Sequence, residues 1–227
     1  MHRVQKILSN SGHCSRRKAE ELIKEGRVRV NDKIISIGDK ASDKDKIFVD
    51  GKLVKKERKI YLMFNKPQGC VTALKDNQYK TVMDYVNIGE RVFPVGRLDY
   101  NTSGILLMTN DGDFANKVMH PRNEVKKTYF VMINKSIPYK DVRKIEQGII
   151  LEDGTKTSSA KVNRIEENIL EISIHEGKKH IVKNIFKSLG YKVNYLERIK
   201  IGSLELKDVK PGRYRDLTKK EIEQVFD

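Results

Sequence analysis

Gly96-Arg97-Leu98-Asp99-Tyr100-Asn101-Thr102-Ser103-Gly104, running directly into Ile105-Leu106-Leu107-Met108, is the stretch on which the reading of this chain turns. A β-prone run, Arg91-Val92-Phe93-Pro94-Val95, comes just before it. The pattern puts one carboxylate, Asp99, on a polar loop between two buried strands, where a rigid scaffold tends to present a reactive group. Arg97 lies two residues away, a natural neighbour for a charged acid. An acid in a surface loop is most often only a turn residue, so Asp99 needs partners from elsewhere in the chain.

The 227 residues include 46 Lys+Arg and 31 Asp+Glu, a formal net charge of +15. With 38% hydrophobic residues the chain has enough apolar material for a core. The positive excess points to a polyanionic partner, nucleic acid ahead of an anionic membrane. Composition alone gives equal weight to a merely basic soluble protein. No apolar run approaches the roughly 20 residues of a membrane span. Met1 to Lys6 lacks the apolar region of a signal peptide. Two cysteines, Cys14 and Cys70, stand far apart, so a reduced, cytoplasmic protein without a disulfide framework is expected.

Residues 1–58 read as a separate module. Val4, Ile7 and Leu8 fall at helical spacing until Ser11-Gly12 interrupts them. Ser15 caps a second helix with Ala19, Leu22 and Ile23 on its apolar face, and Gly26 suits its end. Val28 and Val30 alternate with Arg27 and Arg29 as a strand. Short strands follow around Ile34 to Ile37 and Ile47 to Val49, and Lys55 to Lys59 reads as a solvated linker. The module holds 16 Lys+Arg against 9 Asp+Glu, so positive charge is denser here than in the rest. Arg16, Arg17 and Lys18 cluster at a helix start, where free N–H groups attract phosphate and where cations oppose the dipole. With Arg3, Lys6, Arg27 and Arg29 they are candidates for a surface that follows an RNA backbone. The bland alternative is a solvated charged face.

Residues 59–227 read as a second domain. Strands are expected at Tyr61 to Lys66, Val92 to Val95, Ile105 to Met108, Tyr129 to Ile133, Ile169 to Ile174 and Val193 to Tyr195. Helices are expected at Thr81 to Val86, Gly112 to Met119, Tyr139 to Gln147 and His180 to Leu189. Without regular β-α alternation, the fold class is α+β with a mainly antiparallel sheet.

Two groups could serve Asp99. Lys126-Lys127-Thr128-Tyr129-Phe130 sets an aromatic ring amid positive charge, the combination that captures an unstacked base. A strand tyrosine is more often a core or edge residue. His175 to Phe186 carries a turn at Gly177 and then a basic helix, with Lys183 off its apolar stripe. The five histidines and two cysteines make no zinc spacing, and His175 and His180 do not fit H-E-x-x-H. No P-loop, G-x-G-x-x-G or G-x-S-x-G occurs.

Taken together these motifs resemble the RsuA family of ribosomal pseudouridine synthases, whose type A acts on small-subunit rRNA and whose types B, E and F act on large-subunit rRNA. The resemblance spans essentially the whole chain. V-Q-K-I-L-S-N-S-G-H-C-S-R-R-K-A-E-E-L-I-K-E-G-R-V-R-V-N resembles an S4 RNA-binding domain. G-R-L-D-Y-N-T-S-G-I-L-L-M-T-N-D-G resembles the catalytic signature. R-I-K-I-G-S-L-E-L and P-G-R-Y-R-D-L-T resemble the family's C-terminal strands and tail. His13 to Lys18 and Gly112 to Asn116 look closest to the type B branch. The resemblance implies that Asp99 is the essential aspartate, Tyr129 the aromatic stacking on the target uracil, and Lys183 the cation paired with the aspartate. Relatives usually carry Gln where this chain has Ile181, and often a basic residue where it has Asn184.

The reaction so implied breaks the N1–C1′ bond of a uridine and joins C5 to C1′. It changes no oxidation state, so neither cofactor nor metal is implied. The base must leave its stack to be reached. Asp99 either attacks the nucleotide or removes a sugar proton, and Arg97 either binds phosphate or helps extrude the base. Ribosomal RNA, free or in an assembling subunit, is the expected partner, with the protein acting as a monomer and no membrane involved. Large-subunit 23S rRNA is the favoured target and small-subunit 16S rRNA the alternative. A non-catalytic RNA-binding assembly factor would have no use for the Asp99, Tyr129 and Lys183 set. A membrane-surface protein would need a basic amphipathic helix with an aromatic face.

Overall fold

The computed structural model describes residues 1–42, 44–55 and 57–227. Lys56, inside the expected linker, lies outside the described residues. The chain divides into two compact units. The first holds Met1–Ile60, Ile88–Phe93 and Thr109–Phe114, and the second Tyr61–Asn87, Pro94–Met108 and Ala115–Asp227.

The first unit opens with β1 (His2–Arg3), α1 (Val4–Asn10) and α2 (Arg16–Lys24). It continues with β2 (Val28–Val30), β3 (Lys33–Ile34), β4 (Lys40–Ala41), β5 (Ile47–Val49) and β6 (Lys52–Leu53). Strands β3-β2-β5-β6 form an antiparallel sheet, and β1 pairs with β4. Val4 and Leu8 of α1 pack with Ala19, Leu22 and Ile23 of α2 against Val28, Ile47 and Val49 of the sheet. The 3.6 and 2.0 periodicities of the sequence meet in that one core. Ser15 Oγ accepts the Lys18 N–H at 3.1 Å, the cap that starts α2. The strand expected over Ile34 to Ile37 stops at Ile34. There Asp39 Oδ2 accepts the Ser36 N–H at 3.0 Å and turns the chain.

The second unit is built on a mixed sheet. Its elements begin with β7 (Tyr61–Lys66), β8 (Phe93–Pro94), β9 (Ser103–Thr109), α3 (Gly112–Met119) and β10 (Lys127–Ile133). Next come α4 (Tyr139–Gln147), β11 (Lys161–Arg164), β12 (Ile169–Ile174) and α5 (Ile181–Ser188). The chain finishes with β13 (Val193–Ile201), β14 (Leu204–Glu205), β15 (Tyr214–Asp216) and α6 (Lys219–Gln224). The division between the units passes through β8, the last residue of β9 and the first turn of α3. The strand order is β11-β12-β10-β13-β9-β7-β15, with β14 on β13 and β8 on β9. β10 runs antiparallel to β12 and β13, β11 to β12, and β15 to β7, while β13 runs parallel to β9. The fold is α+β, as the irregular strand and helix order implied. Val131, Ile133, Leu170, Ile172, Ile174 and Leu196 of the sheet bury against Val142 and Ile145 of α4 and Ile181, Val182, Ile185 and Phe186 of α5.

Two expectations change. The helix read over Thr81 to Val86 is a single 3₁₀ turn, Val82–Asp84, closed by a reciprocal Thr81–Asp84 capping box. The strand read as Val193 to Tyr195 continues to Ile201, because it pairs with β10 along its length, with two register shifts. Glu197, Arg198 and Lys200 disguised it, since charges rarely line a central strand. β14 and β15 fall in segments legible only through resemblance, and the periodicity of the last residues did not announce α6.

α6 shows how local chemistry sets its start. Thr218 Oγ1 accepts the Glu221 N–H at 3.2 Å, and Glu221 Oε2 accepts the Thr218 N–H at 2.9 Å. Arg215 forks onto the same carboxylate at 2.6 and 2.9 Å. Hydrogen bonds from Arg215 and from Thr218 hold the Glu221 carboxyl down at about 2. A depressed carboxyl stabilises the fold fully above its ordinary value and loses that stabilisation as pH falls toward 2. Glu221→Gln should therefore lower stability by about 1–2 kcal/mol at neutral pH. Melting curves of the two proteins should converge as pH drops below about 4.5, and a pH-independent gap would remove the ion pair as its cause.

Candidate active site

β7 ends on Lys66, whose side chain is fully buried. Its ammonium donates to the carbonyls of Pro67, Asp99 and Thr102, each at 3.0 Å, and reaches Tyr100 O at 3.5 Å. A buried cation needs such partners, and here all but Pro67 O belong to the backbone of the loop that carries Asp99. Burial pushes the Lys66 amine below the usual lysine range; Cys70 and Asp99 pull it back, and Lys183 lowers it further. Other bonds fix the same loop. Thr72 Oγ1 donates to Leu98 O at 2.7 Å and accepts the Leu98 N–H at 3.2 Å. Gly69 N–H donates to Tyr100 O, and Thr102 N–H to Asp99 O, both at 3.0 Å.

The loop then enters β9 at Ser103–Gly104, which pair with Glu197 and Arg198 of β13. Gly104 has φ +103°, and a Cβ there would stand 2.2 Å from Arg198 O. Only glycine allows this approach. Arg198, 5% exposed, returns its Nε–H to Ile105 O at 2.8 Å.

The Asp99 carboxylate is about one-third exposed (31%). Lys183 Nζ lies 3.2 Å from Oδ2, and His180 Nε2 lies 3.3 Å from Oδ1. Both come from the start of α5. His180 is its N-cap, in the left-handed region at φ 55° and ψ 24°. The helix therefore begins at Ile181 and not at His180 as expected. Left-handed backbone is unusual for a non-glycine residue and clusters at functional sites. The spacing of three residues sets His180 and Lys183 on one side of the helix start, so each addresses a different oxygen.

Of the trio read from sequence, Asp99 and Lys183 are thus in direct contact. Tyr129 stands on β10, opposite Arg198 of β13, and Arg198 is in turn opposite Gly104 of β9. Its half-buried ring packs against the same core cluster as Ile181, Val182 and Ile185 of α5. Arg97 is exposed on the loop. Ile181, which stands where relatives usually carry Gln, is buried in that cluster, and Asn184 Nδ2 donates to Lys179 O at 3.3 Å.

The basic residues of the first unit differ among themselves. Arg3, Arg16, Arg17 and Lys18 are exposed, with Lys18 3.0 Å from Glu21. Lys6 pairs with Asp113 at 2.6 Å. Arg27 is gripped by Asp50 through two bonds of 2.7 Å and by Glu25 at 2.9 Å. Arg29 lies over the Phe48 ring at 5.1 Å. The expected shared face of Arg27 and Arg29 is therefore already engaged by protein groups.

Sequence reading missed His180 and Lys66. The His180–Lys183 spacing was a signal that went unused for the former. For Lys66 the only trace was a lysine ending an apolar strand before a proline, and its partners lie more than thirty positions away. Among the described residues no group of three or more His, Cys, Asp or Glu could hold a metal ion.

A carboxylate is thus held on a pinned loop and faced by a lysine and a histidine from one helix start, an arrangement that presents an acid in a fixed position. The chain belongs to the RNA pseudouridylate synthase family: residues 60–188 match that family and residues 2–47 match the S4 domain. It is 43% identical over 235 residues to ribosomal large subunit pseudouridine synthase B of Bacillus subtilis (strain 168), covering 99% of this chain and 96% of that protein. It is 34% identical to the dual-specificity RNA pseudouridine synthase RluF of Escherichia coli (strain K12), covering 99% and 78%. A crystal structure of a pseudouridylate synthase superposes with a TM-score of 0.74 at 31% identity, covering 99% of this chain and all of that one.

Replacing Lys66 with Met keeps its bulk and takes the ammonium away from the carbonyls of Pro67, Asp99 and Thr102, of which Asp99 O retains the Thr102 N–H. Stability should fall by about 3 kcal/mol, and a loop displaced by even 1 Å should cost roughly 100-fold in turnover. Denaturant unfolding and single-turnover assays read the two effects. A stable Lys66→Met variant of full activity would show that the loop holds itself.

Proposed function

We propose that this protein is a ribosomal RNA pseudouridine synthase that isomerises a uridine of large-subunit 23S rRNA. Residues 1–58 serve as its RNA-binding domain and residues 59–227 as its catalytic domain. The contact of Asp99 with both Lys183 and His180 is the observation that carries the catalytic part. The full-length similarity to a large-subunit enzyme favours 23S rRNA as the target.

In this reading the target uridine leaves its stack, at a cost of a few kcal/mol, and Tyr129 receives the base on its π-face. Asp99 meets the nucleoside, at C1′ or at a sugar proton. Lys183 and His180 hold its two oxygens in place, so the carboxylate needs little reorganisation as the glycosidic bond breaks. The freed uracil turns and forms the C5–C1′ bond. One proton leaves C5 and one is gained at N1, so the atoms balance without an external reagent. Arg97, exposed beside Asp99, contacts phosphate or helps hold the base out. Arg3, Lys6, Arg16, Arg17 and Lys18 form the RNA-facing set of the S4-like domain, Arg27 being held by Asp50 and Glu25, and phosphate contacts of that kind position RNA without reading sequence. The protein acts as a monomer in the cytoplasm on free rRNA or an assembling subunit.

Pseudouridine mapping of rRNA from cells with and without the gene is the direct test. Loss of one 23S pseudouridine is expected; loss of a 16S pseudouridine instead would move the target to the small subunit. Asp99→Asn should abolish product while RNA binding persists, and equal loss of both would make Asp99 structural. Tyr129→Phe should retain turnover, whereas Tyr129→Leu should lose about 10- to 100-fold in kcat/KM. Full activity in both tyrosine variants would exclude stacking.

A further inference from the structure

The first unit contains a cleft of about 400 Å³, within the size range of small-ligand sites. Arg3, Lys6, Arg16 and Lys40 supply positive charge to its walls, and His2, Gln5 and Glu20 contribute its other polar side chains. Gln5 is 5% exposed. Its amide nitrogen donates to Glu20 Oε1 at 3.3 Å, which fixes the orientation of the amide. Its Oε1 is buried and has no hydrogen-bond partner among the described residues.

A buried carbonyl oxygen without a donor is uncommon. Gln5 lines a cleft rich in cations, yet none of them bonds this oxygen. Beside it stands the Glu20 carboxylate, a second acceptor. The cleft therefore combines cations suited to phosphate with two neighbouring acceptors suited to N–H groups. Uracil offers one ring N–H between two carbonyl oxygens, which would face a carboxylate unfavourably. Cytosine and adenine offer an exocyclic amine beside a ring acceptor. Guanine alone offers two adjacent donors on its Watson–Crick edge, N1–H and N2–H₂. Base pairing occupies that edge in a duplex, so the guanine must be unpaired.

We propose that this cleft binds one unpaired guanosine of the RNA substrate. Gln5 Oε1 and Glu20 accept from the guanine edge, and Arg3, Lys6, Arg16 and Lys40 hold the flanking phosphates. The proposal rests on the RNA-binding part of the function proposed above. It gives the S4-like unit a base preference beyond the sequence-blind backbone contacts expected of basic residues.

The test uses the full chain and labelled single-stranded RNA heptamers, UUUXUUU with X as G, A, C or U, read by fluorescence anisotropy at fixed salt. The G heptamer should bind about tenfold more tightly than the U heptamer. Gln5→Leu should cut that preference to about twofold or less while leaving affinity for the U heptamer unchanged. Glu20→Ala, at a half-exposed position, should cut the preference equally while tightening binding of all four heptamers by a common factor, and guards against a folding failure at buried Gln5. Four heptamers bound within twofold of each other, or variants that weaken all four alike, would overturn the proposal by reducing the cleft to a phosphate contact. Guanosine monophosphate competing as well as the G heptamer would overturn it in favour of a free-nucleotide site. Asp99→Asn, outside the cleft, should keep the preference and form no pseudouridine. A preserved preference in a wild-type protein that forms no pseudouridine would sink the catalytic reading alone.

Discussion

One buried ammonium organises the catalytic unit. Backbone carbonyls satisfy Lys66, those of Asp99 and Thr102 on the Asp99 loop among them. Moving that loop means leaving a charge and several carbonyls unsolvated in a protein interior, which is strongly unfavourable. The loop therefore has one position. Its exposed carboxylate inherits that rigidity without being buried itself, and a reactive group needs both precision and access.

The sheet supplies the second constraint. Gly104 lets β9 approach β13 closely enough that Arg198 can return a hydrogen bond to Ile105 O. The same Arg198 lies opposite Tyr129 on β10. A single row across three strands thus links the strand after Asp99 to the one carrying the aromatic ring. α5 packs its apolar face on the cluster that Tyr129 borders and turns its first residues toward Asp99. The left-handed backbone at His180 is the local cost of starting a helix where a histidine and a lysine must address one carboxylate.

Charge is used differently in the two units. In the catalytic unit Lys183 faces the Asp99 carboxylate and Lys66 the backbone carbonyls of its loop, while Arg215 is held by Glu221. In the S4-like unit some are committed to protein carboxylates, as Arg27 is to Asp50, while Arg3, Arg16 and Arg17 stay exposed. A net charge of +15 therefore does not say which side chains are free to meet a polyanion. Which ones remain free is a matter of neighbours, not of composition.

The sequence by itself determined the elements whose cause is local. Ser15 announced α2, the apolar spacing announced α4 and α5, and the turn-rich run around Asp99 announced an acid on a loop. These depend on side chains within a few positions of each other, where periodicity and capping chemistry operate. The pairing of Asp99 with Lys183 was readable only through resemblance, since no spacing rule joins residues so far apart. Tertiary structure alone decided the rest. It turned charged β13 into a central strand by giving Arg198 a buried acceptor, placed Lys66 beneath the loop, and brought His180 to the second oxygen of Asp99. Each depends on which backbone atoms come within about 3 Å, a distance that chain folding fixes and residue order does not state.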